Sequence, residues 1–277
     1  MRRSALIGYF ERADFVDLTN LCFVFFEELL MAVRIDAIEE SSRGPIHVVV
    51  AGYRARPNAN LIRAAELRGS TYSVLWAAGS WSEAGPSVGV IARGARAALP
   101  AIHGGRALIG VGTLAGGIGT AAVIGAASFR HRYYCARRDG IRLADKILEL
   151  PGVGKRPLHL VGHSLGTVVI RSALEKLAER DCRVDDLLLM GGMTSRLNWN
   201  EQADAFRGRL INLYSPRDRI LNMAPVIDRV VGTGAIVCEK LSDRLMNHDL
   251  CRELPNQFNF WGHHSGYWNR FGQYAIR

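Results

Sequence analysis

The chain has 277 residues, 48% of them hydrophobic and 22% charged. That composition suits one large α/β domain or two small ones and excludes a chain that is mostly disordered. The formal net charge of +9 would suit nucleic acid, an anionic membrane surface or an acidic substrate, and equally a merely basic surface with no partner. Cys22, Cys135, Cys182, Cys238 and Cys251 are odd in number, widely spaced and never in a CxxC pair. They suggest neither a disulfide framework nor a zinc site, and a reducing compartment fits them best. The first residues, MRRSALIGYFERADF, hold an apolar stretch Ala5–Phe10 that Glu11 and Arg12 interrupt, too short for a signal peptide. A cytoplasmic protein is expected, with peripheral association at a membrane left open.

Residues 15–38 (FVDLTNLCFVFFEELLMAVRIDAI) place Phe15, Leu18, Cys22, Phe26, Leu29 and Val33 at helical spacing. Residues 1–44 are therefore expected to form a helical segment packed on the core, with an interfacial membrane helix as the alternative. Ser41, Ser42, Arg43, Gly44 and Pro45 break the pattern. From there to residue 277, strand-length apolar runs alternate with helical segments. Ile46–Ala51, Tyr72–Ala77, Leu158–Val161, Leu187–Met190 and Leu210–Tyr214 read as strands, apolar enough for burial on both faces of a parallel sheet. Ile141–Leu150 and Leu165–Arg180 read as helices, the second with Leu165, Val169, Ala173 and Leu177 every four residues. This alternation predicts right-handed βαβ units in a doubly wound, mostly parallel α/β sheet.

An insertion at about 104–135 departs from that rhythm. Ala107–Phe129 carries no charge across 23 residues, with Arg106 before it and Arg130, Arg132, Arg137 and Arg138 after it. It is long enough to span a bilayer, and Gly112–Gly116 is a GxxxG pattern. Its six glycines weaken both hydrophobicity and helix propensity. A membrane-inserting or membrane-lying element, a buried hairpin or lid, and an oligomer interface all remain open. At a membrane, the trailing arginines would meet lipid phosphates, at about 1 kcal/mol per basic residue near an anionic surface.

The most informative stretch is Leu158–Ile170, LHLVGHSLGTVVI. A serine at a strand–turn–helix junction must take a strained backbone conformation to lift its Oγ above the sheet, and side chains two residues either side would collide. Gly162 and Gly166 stand at those two positions, His163 lines the turn, and Ser164 becomes the candidate nucleophile. The helix that follows offers the backbone N–H of Leu165 to a developing oxyanion.

A serine hydroxyl needs a base, and the base an orienting carboxylate. In chain order these should follow as serine, acid, histidine. Asp218 lies in the turn Ser215-Pro216-Arg217-Asp218 that ends the strand Leu210–Tyr214, with Asp204, Asp228 and Asp243 as competitors. A turn residue making only local backbone hydrogen bonds is the plain alternative for Asp218. Of the later histidines, His248 is expected on a helix surface. The adjacent pair His263 and His264 sits in the loop-like, aromatic FWGHHSGYW, and the base is expected from that pair. His47, His103, His131 and His159 precede the serine and read as ordinary polar residues. The loop Gly52-Tyr53-Arg54-Ala55 after an early strand makes the N–H of Tyr53 the candidate second oxyanion donor, with Gly52 allowing a sharp turn.

Taken together, HVVVAGY, LHLVGHSLGTVVI, INLYSPRDRIL and GHHSGYW resemble the lipase-like branch of the α/β-hydrolase superfamily. Within it the chain is similar to the hydrolase family that includes the transmembrane-and-coiled-coil-domain proteins. The resemblance covers about Ile46–Trp268 and implies the α/β-hydrolase fold, a Ser–Asp–His triad with a late H-x-x-Y motif, activity on ester or lipid substrates, and frequent membrane association. Its motif falls on His264-Ser265-Gly266-Tyr267 and so favours His264 over His263, alongside Ser164 and Asp218. In those relatives the Gly-rich apolar segments precede the hydrolase domain, whereas here one interrupts it. The expected activity is that of a lipase, phospholipase or esterase needing no metal or organic cofactor. The rival is a membrane-perturbing effector on a hydrolase scaffold, with residues 107–129 as its active element. The arginines form no recognisable nucleic-acid module, so no specific nucleic acid is expected.

Overall fold

The structure is a computed structural model that describes residues 33–52, 59–76, 130–222, 229–255 and 260–275. The chain divides into two compact units, Met1–Ala32 and Val33–Arg277, of which the second holds everything described. The expected helix over 15–32, the stretch Ala107–Phe129, Tyr53, His103 and Asp228 lie outside the described residues.

Seven strands form one sheet: β1 (Arg34–Glu39), β2 (Ile46–Val50), β3 (Ser70–Leu75), β4 (Leu158–His163), β5 (Asp186–Met190), β6 (Leu210–Tyr214) and β7 (Leu245–Asp249), in the order β1-β3-β2-β4-β5-β6-β7. Only β1 runs antiparallel to its neighbour; every other pairing is parallel. This is the mostly parallel, doubly wound sheet that the alternation of elements predicts, and it matches the α/β-hydrolase-like fold that the resemblance implies.

Alternate residues of each central strand feed a separate core on each face. Val48, Val50, Leu160, Leu187 and Leu189 pack with Leu143, Ala144 and Ile147 of the helical run 130–148 and with Leu165, Val169, Ala173 and Leu177. Val49, Val161, Leu188, Met190 and Ile211 pack on the other side with Ile62, Tyr267, Trp268 and Phe271. Val169, Ala173 and Leu177 in the helix Gly166–Ala178, and Leu165 just before it, are all fully buried. Its helical period thus coincides with its contact face, as burial of one apolar stripe requires. Among the described residues no helix is long and apolar enough to cross a membrane.

Three segments differ from the sequence expectation. Arg34–Glu39 is the antiparallel edge strand β1 and not the end of a helix. It pairs with β3 from Arg34 opposite Leu75 to Glu39 opposite Thr71, with a register shift between Ala37 and Glu39, and the sheet's need for a neighbour overrides the helical spacing read further upstream. Leu245–Asp249 is a strand as well, so His248 lies on the sheet edge with its ring 4.8 Å from that of Tyr274. The polar composition of LMNHD reflects that half-exposed edge position. Finally, FWGHHSGYW forms the helix Phe260–Ser265 and the 3₁₀ turn Gly266–Arg270. Its glycines hide the periodicity, and helix formation rests on burying Tyr267, Trp268 and Phe271.

Two buried histidines sit side by side on β2 and β4, away from the elbow. His47 and His159 are register partners with rings 4.9 Å apart. The Nε2 of His47 donates to the carbonyl of Arg68 at 2.9 Å. Burial holds His47 down to about 4, and lowers His159 against the opposing pull of Asp186. Below the ordinary histidine value of 6.5 the unfolded chain takes up protons that the folded one refuses, so stability falls as pH drops from there towards 4. The unfolding free energy from urea titrations should decline over that window by up to ~1.4 kcal/mol per pH unit for each such histidine. His47→Gln, which keeps a donor for Arg68, should flatten the decline.

Candidate active site

Strand β4 delivers the chain into a sharp turn at Ser164, whose φ is +53°. A non-glycine residue is strained there, and the surroundings fix it. Its N–H donates to Met190 O at 3.0 Å, while its own carbonyl accepts from Thr167 N–H at 3.1 Å, Thr167 Oγ1 at 2.7 Å and Met193 N–H at 3.1 Å. Thr167 Oγ1 in turn accepts from Met193 N–H at 3.0 Å. The elbow is therefore bound to the loop after β5 as well as to its own helix.

Three glycines make room for it. A Cβ on Gly162 would stand 2.7 Å from Ile170 Cδ1 and 3.1 Å from Thr167 Cα. One on Gly166 would press into the carbonyls of Val50 and Ala51 at the end of β2. One on Gly52 would stand 2.5 Å from Ser164 Cβ and 3.0 Å from its Oγ. Gly52 thus serves the serine by leaving its side chain space, a reason distinct from the sharp turn expected of it.

The turn after β6 holds Asp218, fully buried. Its Oδ1 accepts from the N–H groups of Ile220 at 3.1 Å and Leu221 at 3.3 Å, and its Oδ2 lies 2.7 Å from His264 Nδ1. One oxygen thus makes the local backbone hydrogen bonds of a turn residue, while the other reaches across to His264. Because the carboxylate accepts, Nδ1 of His264 carries the proton and Nε2 is left as the basic nitrogen. The competing acids lie elsewhere: Asp204 pairs with Lys240 at 3.2 Å, and exposed Asp243 accepts from Ser242.

The neighbouring histidines are occupied differently. His263 Nδ1 donates to Pro255 O at 2.8 Å, and its Nε2 lies 3.0 Å from Ser215 Oγ, so both ring nitrogens are engaged away from the elbow. His163, next to the serine, stacks its ring 4.9 Å from His264 and 5.3 Å from Trp268. Burial, reinforced by His264, pushes it down to about 3. As a neutral ring it donates from Nε2 to His264 O at 3.1 Å, tying the elbow to the helix that carries the candidate base. Tyr267 packs its ring on the backbone of Gly191 at the end of β5. Burial, then the charge of Asp218, raises its phenol well above the ordinary value.

A family model described as "Protein of unknown function (DUF726)" matches residues 68–257, more than half of the chain. The chain belongs to that family. The DUF726 match takes in the elbow, Asp218 and β7, and ends just before the helix of His263 and His264. An uncharacterized membrane protein of Caenorhabditis elegans, F35D11.3, is 29% identical over 130 residues, covering 44% of this chain and 21% of its own length. The chain thus spans about a fifth of that relative. Among solved structures, the dienelactone hydrolase of Anabaena variabilis matches at 12% identity and a TM-score of 0.39, over 87% of this chain and 90% of that one.

Within this DUF726 chain the structure gathers Gly162, His163, Ser164, Leu165, Gly166, Asp218, His263 and His264 at the C-terminal edge of the sheet, where open α/β sheets present their ligand crevices. Leu165 lies at the N-terminus of the 13-residue helix Gly166–Ala178. Three contributors went unread in the sequence. Thr167 carries a weak signal, a hydroxyl in the first turn of an otherwise apolar helix face. Ser215 and Gly191 carry none, because their partners lie far along the chain.

Proposed function

We propose that this chain is a serine hydrolase of carboxylic esters, lipid esters foremost, acting through Ser164, His264 and Asp218. The observation that carries the reading is the buried 2.7 Å hydrogen bond between His264 Nδ1 and Asp218 Oδ2, on a histidine that meets His163, the residue before a serine held at positive φ. Ser164 Oγ attacks the ester carbonyl while His264 Nε2 takes its proton. Asp218 fixes the tautomer and stabilises the imidazolium. The oxyanion is held by the N–H of Leu165 at the helix N-terminus, with the N–H of Tyr53, next after Gly52, as second donor. His264 returns the proton to the leaving alcohol, and water then cleaves the acyl-enzyme by the same steps in reverse. The scheme calls on no metal or organic cofactor.

Lipid esters are favoured by the uncharged stretch 107–129, by the net charge of +9 and by the membrane attribution in the name of the worm relative. A fluorophosphonate probe tests the reading. Intact-mass analysis should find one phosphonyl adduct on the wild-type chain and none on Ser164→Ala. Equal labelling of both, or labelling of neither, would overturn it.

A further inference from the structure

Two hydrogen bonds run side by side between the turn after β6 and the helix Phe260–Ser265. One joins Asp218 to His264, and the other joins Ser215 to His263. Residues three apart on the turn therefore meet residues one apart on the helix. The second bond is as secluded as the first, with Ser215 fully buried and His263 only 2% exposed.

Each polar atom of that second rung has a defined role. His263 Nδ1 faces the carbonyl of Pro255, which only accepts, so the ring's proton sits on Nδ1 and Nε2 accepts from Ser215 Oγ–H. The Ser215 oxygen then receives Arg217 N–H at 3.3 Å and faces Cys251 Sγ at 3.4 Å, whose thiol hydrogen points to it. Ser215 N–H donates to Gly232 O at 2.9 Å, and Ser215 O accepts from Asp218 N–H at 3.0 Å. Ser215 is thus attached to the 3₁₀ turn behind it, to the acid's own backbone and to the histidine beside the candidate base. The Asp218 contacts to Ile220 and Leu221 lie within the turn itself and leave its distance from the helix unset.

We infer that Ser215 and His263 are positioning residues: their hydrogen bond holds the turn of Asp218 and the helix of His264 in register, so that the Asp218–His264 bond keeps its length and direction. Its consequence for catalysis rests on the serine-hydrolase reading above. A carboxylate that drifts by about 1 Å no longer orients the imidazole, a misplacement of the kind that costs about a hundredfold. It also stabilises the imidazolium less.

The test uses the full chain and two readouts. The downfield proton NMR signal of His264 Nδ1–H, identified by its loss in Asp218→Asn, reports the bond whether or not the protein is an enzyme. The rate of fluorophosphonate reaction against pH reports its consequence. Ser215→Ala should move or broaden the signal, slow the probe about tenfold to a hundredfold and shift the acid limb of the profile to lower pH. A fold defect alone would lower the amplitude without moving the midpoint. His263→Asn, which keeps a donor for Pro255 but loses the acceptor for Ser215, should reproduce these changes, and Ser215→Thr should reverse them. A folded Ser215→Ala or His263→Asn with an unchanged signal and pH profile overturns the inference. A wild-type chain that shows the signal yet ignores the probe overturns the hydrolase reading alone, and the NMR comparison still decides the register.

Discussion

Asp218→Asn should slow the reaction of Ser164 with a fluorophosphonate by about 10⁴-fold while leaving the fold intact. The asymmetry follows from the division of labour between the two carboxylate oxygens. Oδ1 caps the short helix Arg219–Asn222 by accepting from Ile220 and Leu221, and an asparagine oxygen does the same. Oδ2 receives the proton of His264 Nδ1, where the asparagine places an NH₂ that can only donate. The imidazole then turns its bare nitrogen towards residue 218 and its N–H towards the serine, so no base is left to take the Ser164 proton. Asp218→Ala should be equally inactive and less stable. It strands two N–H groups and opens a hole at a fully buried position, each unsatisfied donor costing about 1–3 kcal/mol. Urea unfolding of the two variants, read beside their labelling rates, separates the capping oxygen from the orienting one. If Asp218→Asn labels like wild type, Asp218 is only a cap.

How far this site was legible depends on how local each constraint is. The elbow is written within five residues, because the clash that demands Gly162 and Gly166 arises from a helix and strand adjacent to Ser164 in sequence. Asp218 was nearly as legible as a candidate, since a turn after an apolar strand narrows the choice among aspartates. From the residues alone the candidate base was legible only as a pair, and it was the resemblance that favoured His264. What separates His264 from His263 is the placement of Ser215, Pro255 and Asp218 around them, and those contacts cross up to 48 positions of the chain. The sheet followed the same rule. Its central strands are apolar on both faces and announce themselves, whereas β1 and β7 stand at the edges, carry mixed polarity and take strand form only because a neighbour is there to pair with. Gly52 falls between these cases. Its glycine was visible, but the cause, the side chain of Ser164 in the turn that follows the neighbouring parallel strand, was not.

The same local sterics give the second large expected effect, a loss of both stability and labelling in Gly166→Ala. The added methyl would meet the carbonyl oxygens of Val50 and Ala51, the latter at 2.7 Å. These are backbone atoms at the end of a strand bonded on both sides, with Val50 paired to Val74 on β3 and to Gly162 on β4. Val50 O cannot retreat without disturbing a ladder, nor Ala51 O without straining its hydrogen bond from Trp76 Nε1 at 3.0 Å, so the helix Gly166–Ala178 has to move instead. Overpacking of this sort costs about 1–3 kcal/mol, and the melting temperature should fall by roughly 3–10 °C for a domain of this size. Displacement of the helix start also carries Leu165 N–H away from the oxyanion position and loosens the Thr167 contacts that hold Ser164 at positive φ, so labelling should drop further than the lost stability explains. Gly272→Ala supplies the contrast. Its nearest neighbour would be Ala65 Cα at 3.6 Å, an ordinary van der Waals contact, and the change should be neutral or stabilising by about 0.4–1 kcal/mol through the unfolded chain. Equal melting temperatures for the two variants would mean that the elbow helix is free to shift against β2, and the glycine at 166 would then need another explanation.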